Sequence, residues 1–221
     1  MSSMAENDMD GADITVLNGL EAVRKRPNMY IGDTGNNGYH HLLWMMLENS
    51  FAAALSGYTI CVILYKDGKT IEVIDTSPGI SSEIVKRYDK SMMEMLPTTL
   101  YCGPNKPGTG AGLAIVNALS SELRLVSCWG GKRGEIGFSS GKIIAPLSTD
   151  DVAPETHGTA IRFTPDDLIF DSSSLFSSDL IIERVQALLD GLSANLNNLD
   201  ISFIDEVKDC SVRRFTRSDK A

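Results

Sequence analysis

The chain lacks the features that mark exported and membrane proteins. Its 221 residues contain no run of eighteen apolar residues, and the N-terminus is acidic and polar rather than a secretory leader. It has only four cysteines, none spaced as C-x-x-C, at Cys61, Cys102, Cys128 and Cys210. We therefore expect reduced thiols, no membrane span and a cytoplasmic location.

Basic residues are also scarce. Twenty Lys and Arg stand against 29 Asp and Glu, which gives a formal net charge of −9. This balance argues against a chain that coats nucleic acid nonspecifically, so we expect no direct nucleic-acid contact. Hydrophobic residues make up 43% and charged residues 22%, as in an ordinary globular protein.

Periodicity and charge divide the chain into three predicted segments. They are a flexible arm at 1–13, a domain at 14–206 and a basic tail at 207–221. Residues 38–55 are apolar all round at helical length and should form a central helix. Alternation on both sides of Asp67-Gly68 predicts a hairpin with strands at 59–66 and 69–75.

The rest of the domain alternates helical and strand patterns. We predict helices at 83–96, 112–120 and 177–195, and strands at 122–129, 135–140, 159–165 and 199–205. This order predicts an α/β fold, more closely an α+β two-layer sandwich, in which helices cover one face of a mostly antiparallel sheet.

Five segments resemble the ATP-binding domain of the DNA gyrase B subunit and its topoisomerase relatives. They are ITVLNGLEAVRKRPNMYIGDTG, HHLLWMMLENSFAAALSGY, IDTSPGI, GTGAGLAIVNALS and HGTAIRFTP. On these motifs, the chain is identified as a member of the GHKL ATPases, which share the Bergerat ATP-binding fold. The resemblance covers roughly residues 14–205. The resemblance implies ATP or ADP with Mg²⁺ as ligands. It covers only the ATP-binding half of such a protein, so we expect no topoisomerase activity from this chain alone.

The resemblance also implies roles for individual residues. Asn49 matches the Mg²⁺ ligand, Asp75 the reader of the adenine amino group, and Thr159 the threonine that supports this aspartate. Gly79 matches the glycine under the adenine, and Lys106, Gly110 and Gly112 are candidates at the phosphates. The remaining ligand-binding candidates are Ile80, Met45 and Trp129.

The chain departs from the family where ATP would be hydrolysed. Met45 stands four residues before Asn49, in the place of the family's general-base glutamate. Because a thioether cannot accept a proton, and a general base commonly contributes about 10²–10⁴ in rate, we expect feeble or no hydrolysis. Pro78 and Trp129 replace arginines at the rim, which predicts a more apolar pocket.

Three functions agree with this sequence. The first is a nucleotide-binding module that is deficient in hydrolysis and whose partner would be a topoisomerase subunit. The second is a stand-alone enzyme whose pocket takes a hydrophobic small molecule for cyclisation or isomerisation, with Asp75, His41 and Glu48 as its acid and base groups. The third is an interaction protein that mimics gyrase.

Overall fold

A computed structural model of the protein describes residues 19–53, 58–100, 112–192 and 199–215. The helices are α1 Gly19–Lys25, α2 Asn28–Ile31, α3 Asn36–Ala53, α4 Met92–Thr98, α5 Gly112–Ala118 and α6 Ser178–Gly191. The strands are β1 Thr59–Leu64, β2 Ile71–Asp75, β3 Ile84–Val85, β4 Lys90–Ser91, β5 Ser120–Trp129, β6 Lys132–Ser139, β7 Lys142–Asp151, β8 Gly158–Pro165, β9 Asp200–Asp205 and β10 Ser211–Phe215.

Eight of these strands form one sheet in the order β10-β9-β1-β2-β8-β5-β6-β7. The β1–β9 pair is parallel, and each of the other neighbouring pairs is antiparallel. Strands β3 and β4 form a separate antiparallel pair. The predicted fold class is confirmed.

Burial alternates along β2, β6 and β8, which shows that one face of the sheet is covered and the other is more open. Helices α3, α5 and α6 lie on the covered face. Helix α3 is buried on most sides, as the central-helix prediction requires, through Tyr39, Leu42, Leu43, Met46 and Leu47. Among the described residues, no helix combines the length and hydropathy needed to cross a bilayer.

The predicted helix at 83–96 is wrong over most of its length. Residues 84–85 and 90–91 pair as β3 and β4, and the turn between them includes Asp89 at φ 52°. Helix α4 begins at Met92 because Ser91 and Glu94 form a reciprocal capping box, in which each side chain bonds the other's backbone N–H.

Besides β3 and β4, two longer strands were not predicted. Strand β7 lies at the sheet edge with most of its residues exposed, so it lacks the alternation that marks a half-buried strand. Strand β10 falls in the segment predicted as a basic tail, where it pairs with β9 and buries Phe215. Both strands depend on pairing with a neighbour rather than on their own pattern.

Candidate functional site

A buried carboxylate at the end of β2 forms the centre of the candidate site. Asp75 is 8% exposed. One of its oxygens accepts a hydrogen bond from Ser50 Oγ of α3 at 2.7 Å, and the other accepts from the Ser77 backbone N–H at 3.1 Å. Within the described ranges no cationic side chain forms an ion pair with it. Since a carboxylate has about four acceptor positions, these two bonds leave acceptor capacity for a ligand.

A network of hydroxyl groups lies beside this carboxylate on the covered face of the sheet. Thr159 of β8 stands opposite Asp75 in the strand register, and its Oγ1 lies 3.1 Å from Ser127 Oγ of β5. Ser127 Oγ also donates to the Gly158 carbonyl at 2.9 Å and accepts from the Ile80 N–H at 2.8 Å. The hydrogen bond of Thr159 in this structure is thus to Ser127, while Asp75 takes its described donors from elsewhere.

The turn after Asp75 requires glycine. Gly79 has φ 87°, and a Cβ there would lie 2.1 Å from the Cys128 carbonyl oxygen. A side chain is therefore excluded by both the backbone conformation and the close approach of β5. The next residue, Ile80, packs against the core, so the turn is held to the sheet on both sides of its glycine.

The side of α3 that faces α5 carries Met45 and Asn49. An added Cβ at Gly112, the first residue of α5, would lie 3.3 Å from Met45 Cβ and 3.4 Å from Asn49 Nδ2. Met45 is partly buried against the core, whereas Asn49 is exposed. The structure thus brings three of the predicted ligand-binding residues together. The predicted residues Lys106 and Gly110 lie outside the described residues.

The predicted acid and base groups are placed differently. Glu48 is paired with Arg184 of α6, whose guanidinium also lies 5.9 Å from the centre of the Trp44 ring. Glu48 and Ser50 are about 200° apart around an ideal helix, so Glu48 and the partner of Asp75 occupy different faces of α3. His41 is half-buried on the same helix.

Trp129, the predicted residue at the pocket mouth, ends β5 and is 38% exposed. Pro78 is exposed in the turn before Gly79. Among the described residues, no group of three or more His, Cys, Asp and Glu side chains is arranged to hold a metal ion.

The buried histidine of α3 is His40, the neighbour of the predicted one. Its Nδ1 lies 2.7 Å from the Asn36 carbonyl and must donate to it, while Nε2 accepts from the Ser177 N–H at 2.8 Å. Burial lowers the pKa of His40. A neutral imidazole satisfies both contacts, so His40 links α3 to the start of α6.

Three serines of the site were missed from sequence: Ser50, Ser77 and Ser127. Ser77 stands two residues after Asp75, a spacing that permits an Asx turn and could have been recognised. The other two act through contacts between segments distant in the chain, which no local pattern displays.

Comparison with known proteins gives the family. A family model described as "Histidine kinase-, DNA gyrase B-, and HSP90-like ATPase" matches residues 35–168. The chain belongs to this family. The resemblance found in the sequence is thereby confirmed.

Similar proteins place this ATPase-family chain among gyrase-like proteins. The B subunit of DNA topoisomerase 4 from Mycoplasma capricolum is 42% identical over 212 residues, which cover 89% of this chain and 32% of the relative. The DNA gyrase B subunit of Streptococcus pneumoniae is 34% identical over 217 residues, which cover 93% of this chain and 33% of the relative. The chain therefore spans about a third of the length of these curated relatives.

A solved structure of the family has the same fold. It is the crystal structure of the 43K ATPase domain of Thermus thermophilus gyrase B in complex with an aminocoumarin. The match has a TM-score of 0.79 at 35% identity and covers 91% of this chain and 52% of that one.

Proposed function

We propose that this gyrase-B-like domain binds ATP or ADP with Mg²⁺ beside α3 and the covered face of the sheet, and hydrolyses ATP poorly or not at all. The observation that carries the proposal is the Asp75 carboxylate, buried and held by Ser50 and Ser77 with no cationic partner among the described residues. Burying a carboxylate is costly unless further donors complete its hydrogen bonds. The exocyclic amino group of adenine is such a donor.

Asn49 is the described residue that would hold Mg²⁺. Its side chain is exposed beside the first residue of α5, and amide oxygens are hard ligands that suit this cation. A single neutral ligand makes a weak site, so the cation would bind together with the phosphates of the nucleotide. When bound, Mg²⁺ would neutralise phosphate charge.

The proposed lack of turnover rests on Met45 and Glu48. Met45 packs against the core one helical turn before Asn49 and offers no proton acceptor. Glu48, the nearest acid in the sequence, is engaged by Arg184 on the side of α3 that faces α6. A water beside the nucleotide would therefore have no free carboxylate on this helix to act as its general base.

The alternative of a repurposed enzyme would need Asp75, His41 and Glu48 to act on one substrate. Because Glu48 pairs with α6 and Asp75 is bonded to the opposite side of α3, the geometry favours a nucleotide site over this acid–base set. As a partner we propose a topoisomerase subunit, in analogy with the curated relatives.

Isothermal titration calorimetry tests the proposal. The chain is titrated with ADP and with a nonhydrolysable ATP analogue, each with and without Mg²⁺. We expect saturable binding of one nucleotide per chain that weakens when Mg²⁺ is omitted. The absence of saturable heat at millimolar nucleotide would contradict the proposal.

Asn49→Ala tests the metal assignment in the same titration. We expect this variant to lose most of the difference between the Mg²⁺ and Mg²⁺-free titrations. Asn37→Ala is the matched control, because Asn37 is an exposed asparagine near the start of the same helix. If both variants keep the full Mg²⁺ effect, Asn49 does not hold the cation.

A further inference from the structure

Ser127 has a fully determined set of hydrogen bonds. The side chain is 1% exposed, so these bonds are made to protein groups rather than to bulk water. A serine hydroxyl has one proton to donate and two lone pairs that accept. Because a carbonyl oxygen only accepts, Ser127 donates its hydroxyl proton to the Gly158 carbonyl oxygen at 2.9 Å. The backbone N–H of Ile80 donates to one lone pair at 2.8 Å.

The remaining contact fixes the direction of the bond to Thr159. Ser127 has already given its proton to Gly158, so at 3.1 Å Thr159 must donate and Ser127 must accept. This assignment satisfies every donor and acceptor position of Ser127. It leaves Thr159, itself 7% exposed, with lone pairs only.

The neighbour of Thr159 is also restricted to accepting. Thr159 and Asp75 are opposite one another in the β2–β8 register, and the Asp75 carboxylate accepts from Ser50 and Ser77. The two polar side chains side by side at the base of the site therefore both offer only acceptor positions to a ligand.

We propose that Ser127 is a specificity-determining residue. By accepting the hydrogen bond that Thr159 donates, it prevents the Thr159 hydroxyl from donating to the base and so weakens the preference of this site for adenine over guanine. The inference rests on the proposed nucleotide binding and adds to it the residue that sets base selectivity. Adenine presents an N6 amino donor beside the acceptor N1. Guanine presents two adjacent donors, N1–H and the N2 amino group, which match two adjacent acceptors.

Without the Ser127 hydroxyl, the O–H group of Thr159 no longer donates to Ser127 and is free to donate to a ligand. Thr159 can then donate toward N1 of adenine, directly or through one water, while the N1–H of guanine loses an acceptor contact. An acceptor that faces an acceptor in a buried site leaves both groups unpaired, and such mismatches dominate discrimination between similar ligands.

The experiment is a double-mutant cycle read by calorimetry with Mg·ADP and Mg·GDP. The variants are Ser127→Ala, Thr159→Val and the double variant. We expect Ser127→Ala to raise the ratio of the GDP to the ADP dissociation constant about tenfold, or about 1.4 kcal/mol. In the Thr159→Val background, the same Ser127 change should alter that ratio less than about twofold.

One further variant, and the Thr159→Val variant of the cycle taken alone, keep the test decisive. Ser127→Thr retains the hydroxyl and should keep the wild-type ratio, and Thr159→Val alone should weaken GDP binding more than ADP binding. The inference is overturned if Ser127→Ala leaves the ratio unchanged, or if it shifts the ratio equally without the Thr159 hydroxyl. If the wild type binds both nucleotides and Ser127→Ala leaves the ratio unchanged, this inference alone is contradicted. If the wild type binds neither nucleotide, the proposed function is contradicted as well.

Discussion

Replacement of Asp75 by Asn separates ligand binding from folding. An asparagine can keep its carbonyl oxygen on the Ser77 N–H, where the distance is 3.1 Å, and turn its amide group to Ser50 Oγ, at 2.7 Å. The Ser50 hydroxyl can accept as well as donate, so it need only rotate its proton. With both contacts retained, we expect the free energy of unfolding to change by less than about 1 kcal/mol.

The effect on the ligand should be larger. The Asp75→Asn change replaces one acceptor oxygen by an amide N–H group, which then faces the amino group of the base with donor against donor. A hydrogen bond to a charged group contributes about 1.5–3 kcal/mol. Its loss corresponds to a dissociation constant for Mg·ADP that is roughly 10- to 150-fold higher.

The assay pairs calorimetric titration of Mg·ADP with urea unfolding of the same variant. Asp205→Asn is the matched control, because Asp205 is 2% exposed and accepts from Ser178 Oγ and from backbone N–H groups in another part of the sheet. This control should bind Mg·ADP as the wild type does. The reasoning is refuted if Asp75→Asn binds within about threefold of wild type, or if Asp205→Asn loses as much affinity.

Three other changes test contacts elsewhere in the fold and in the turn after Asp75. Arg24→Met removes the guanidinium that lies 2.7 Å from the buried Asp166 carboxylate, and should cost about 3 kcal/mol in urea unfolding; a loss below about 1 kcal/mol would contradict this. Burial lowers the pKa of His40, so folding favours its neutral form. Stability should therefore be complete above about pH 6.5 and fall below it, because the unfolded chain then takes up a proton that the buried imidazole, which accepts from the Ser177 N–H, resists. In a His40→Asn variant the difference in unfolding free energy between about pH 8 and pH 5.5 should shrink; an unchanged difference would assign it to other groups. Gly79→Ala would place a Cβ 2.1 Å from a β5 carbonyl oxygen, at a residue whose φ is 87°. The variant should therefore lose nucleotide binding and melt at a lower temperature. Normal nucleotide binding by this variant would contradict the described turn.

Much of the fold was accessible from sequence because its signals are local. The Asp67-Gly68 turn predicted the β1–β2 hairpin, and the apolar run at 38–55 predicted α3, which spans Asn36–Ala53. Ser91 and Glu94 have the spacing of a capping box, a local signal for the start of α4 that the helix predicted at 83–96 did not use. Strand β7 had no comparable signal, because its stability comes from pairing with β6.

The candidate site, like the fold, could be predicted from sequence only where its signals are local. The motifs indicated the positions of Asp75 and Asn49, since those residues lie within contiguous matching segments. The bonds of Ser50 to Asp75 and of Ser127 to Thr159 join residues 25 and 32 positions apart, and they depend on the packing of α3 and on the β5–β8 register. The candidate positions that match the family were accessible from the motifs, but the roles of Ser50 and Ser127 and the directions of the hydrogen bonds needed the structure.

The central claim is that this site binds nucleotide but does not hydrolyse ATP. Measurement of phosphate release from Mg·ATP tests it most directly. The purified chain is assayed at a nucleotide concentration that calorimetry shows to be saturating, with Asp75→Asn purified in parallel. We predict saturable binding by the wild type and phosphate release no faster than that of Asp75→Asn. Magnesium-dependent release by the wild type that Asp75→Asn abolishes would contradict the central claim.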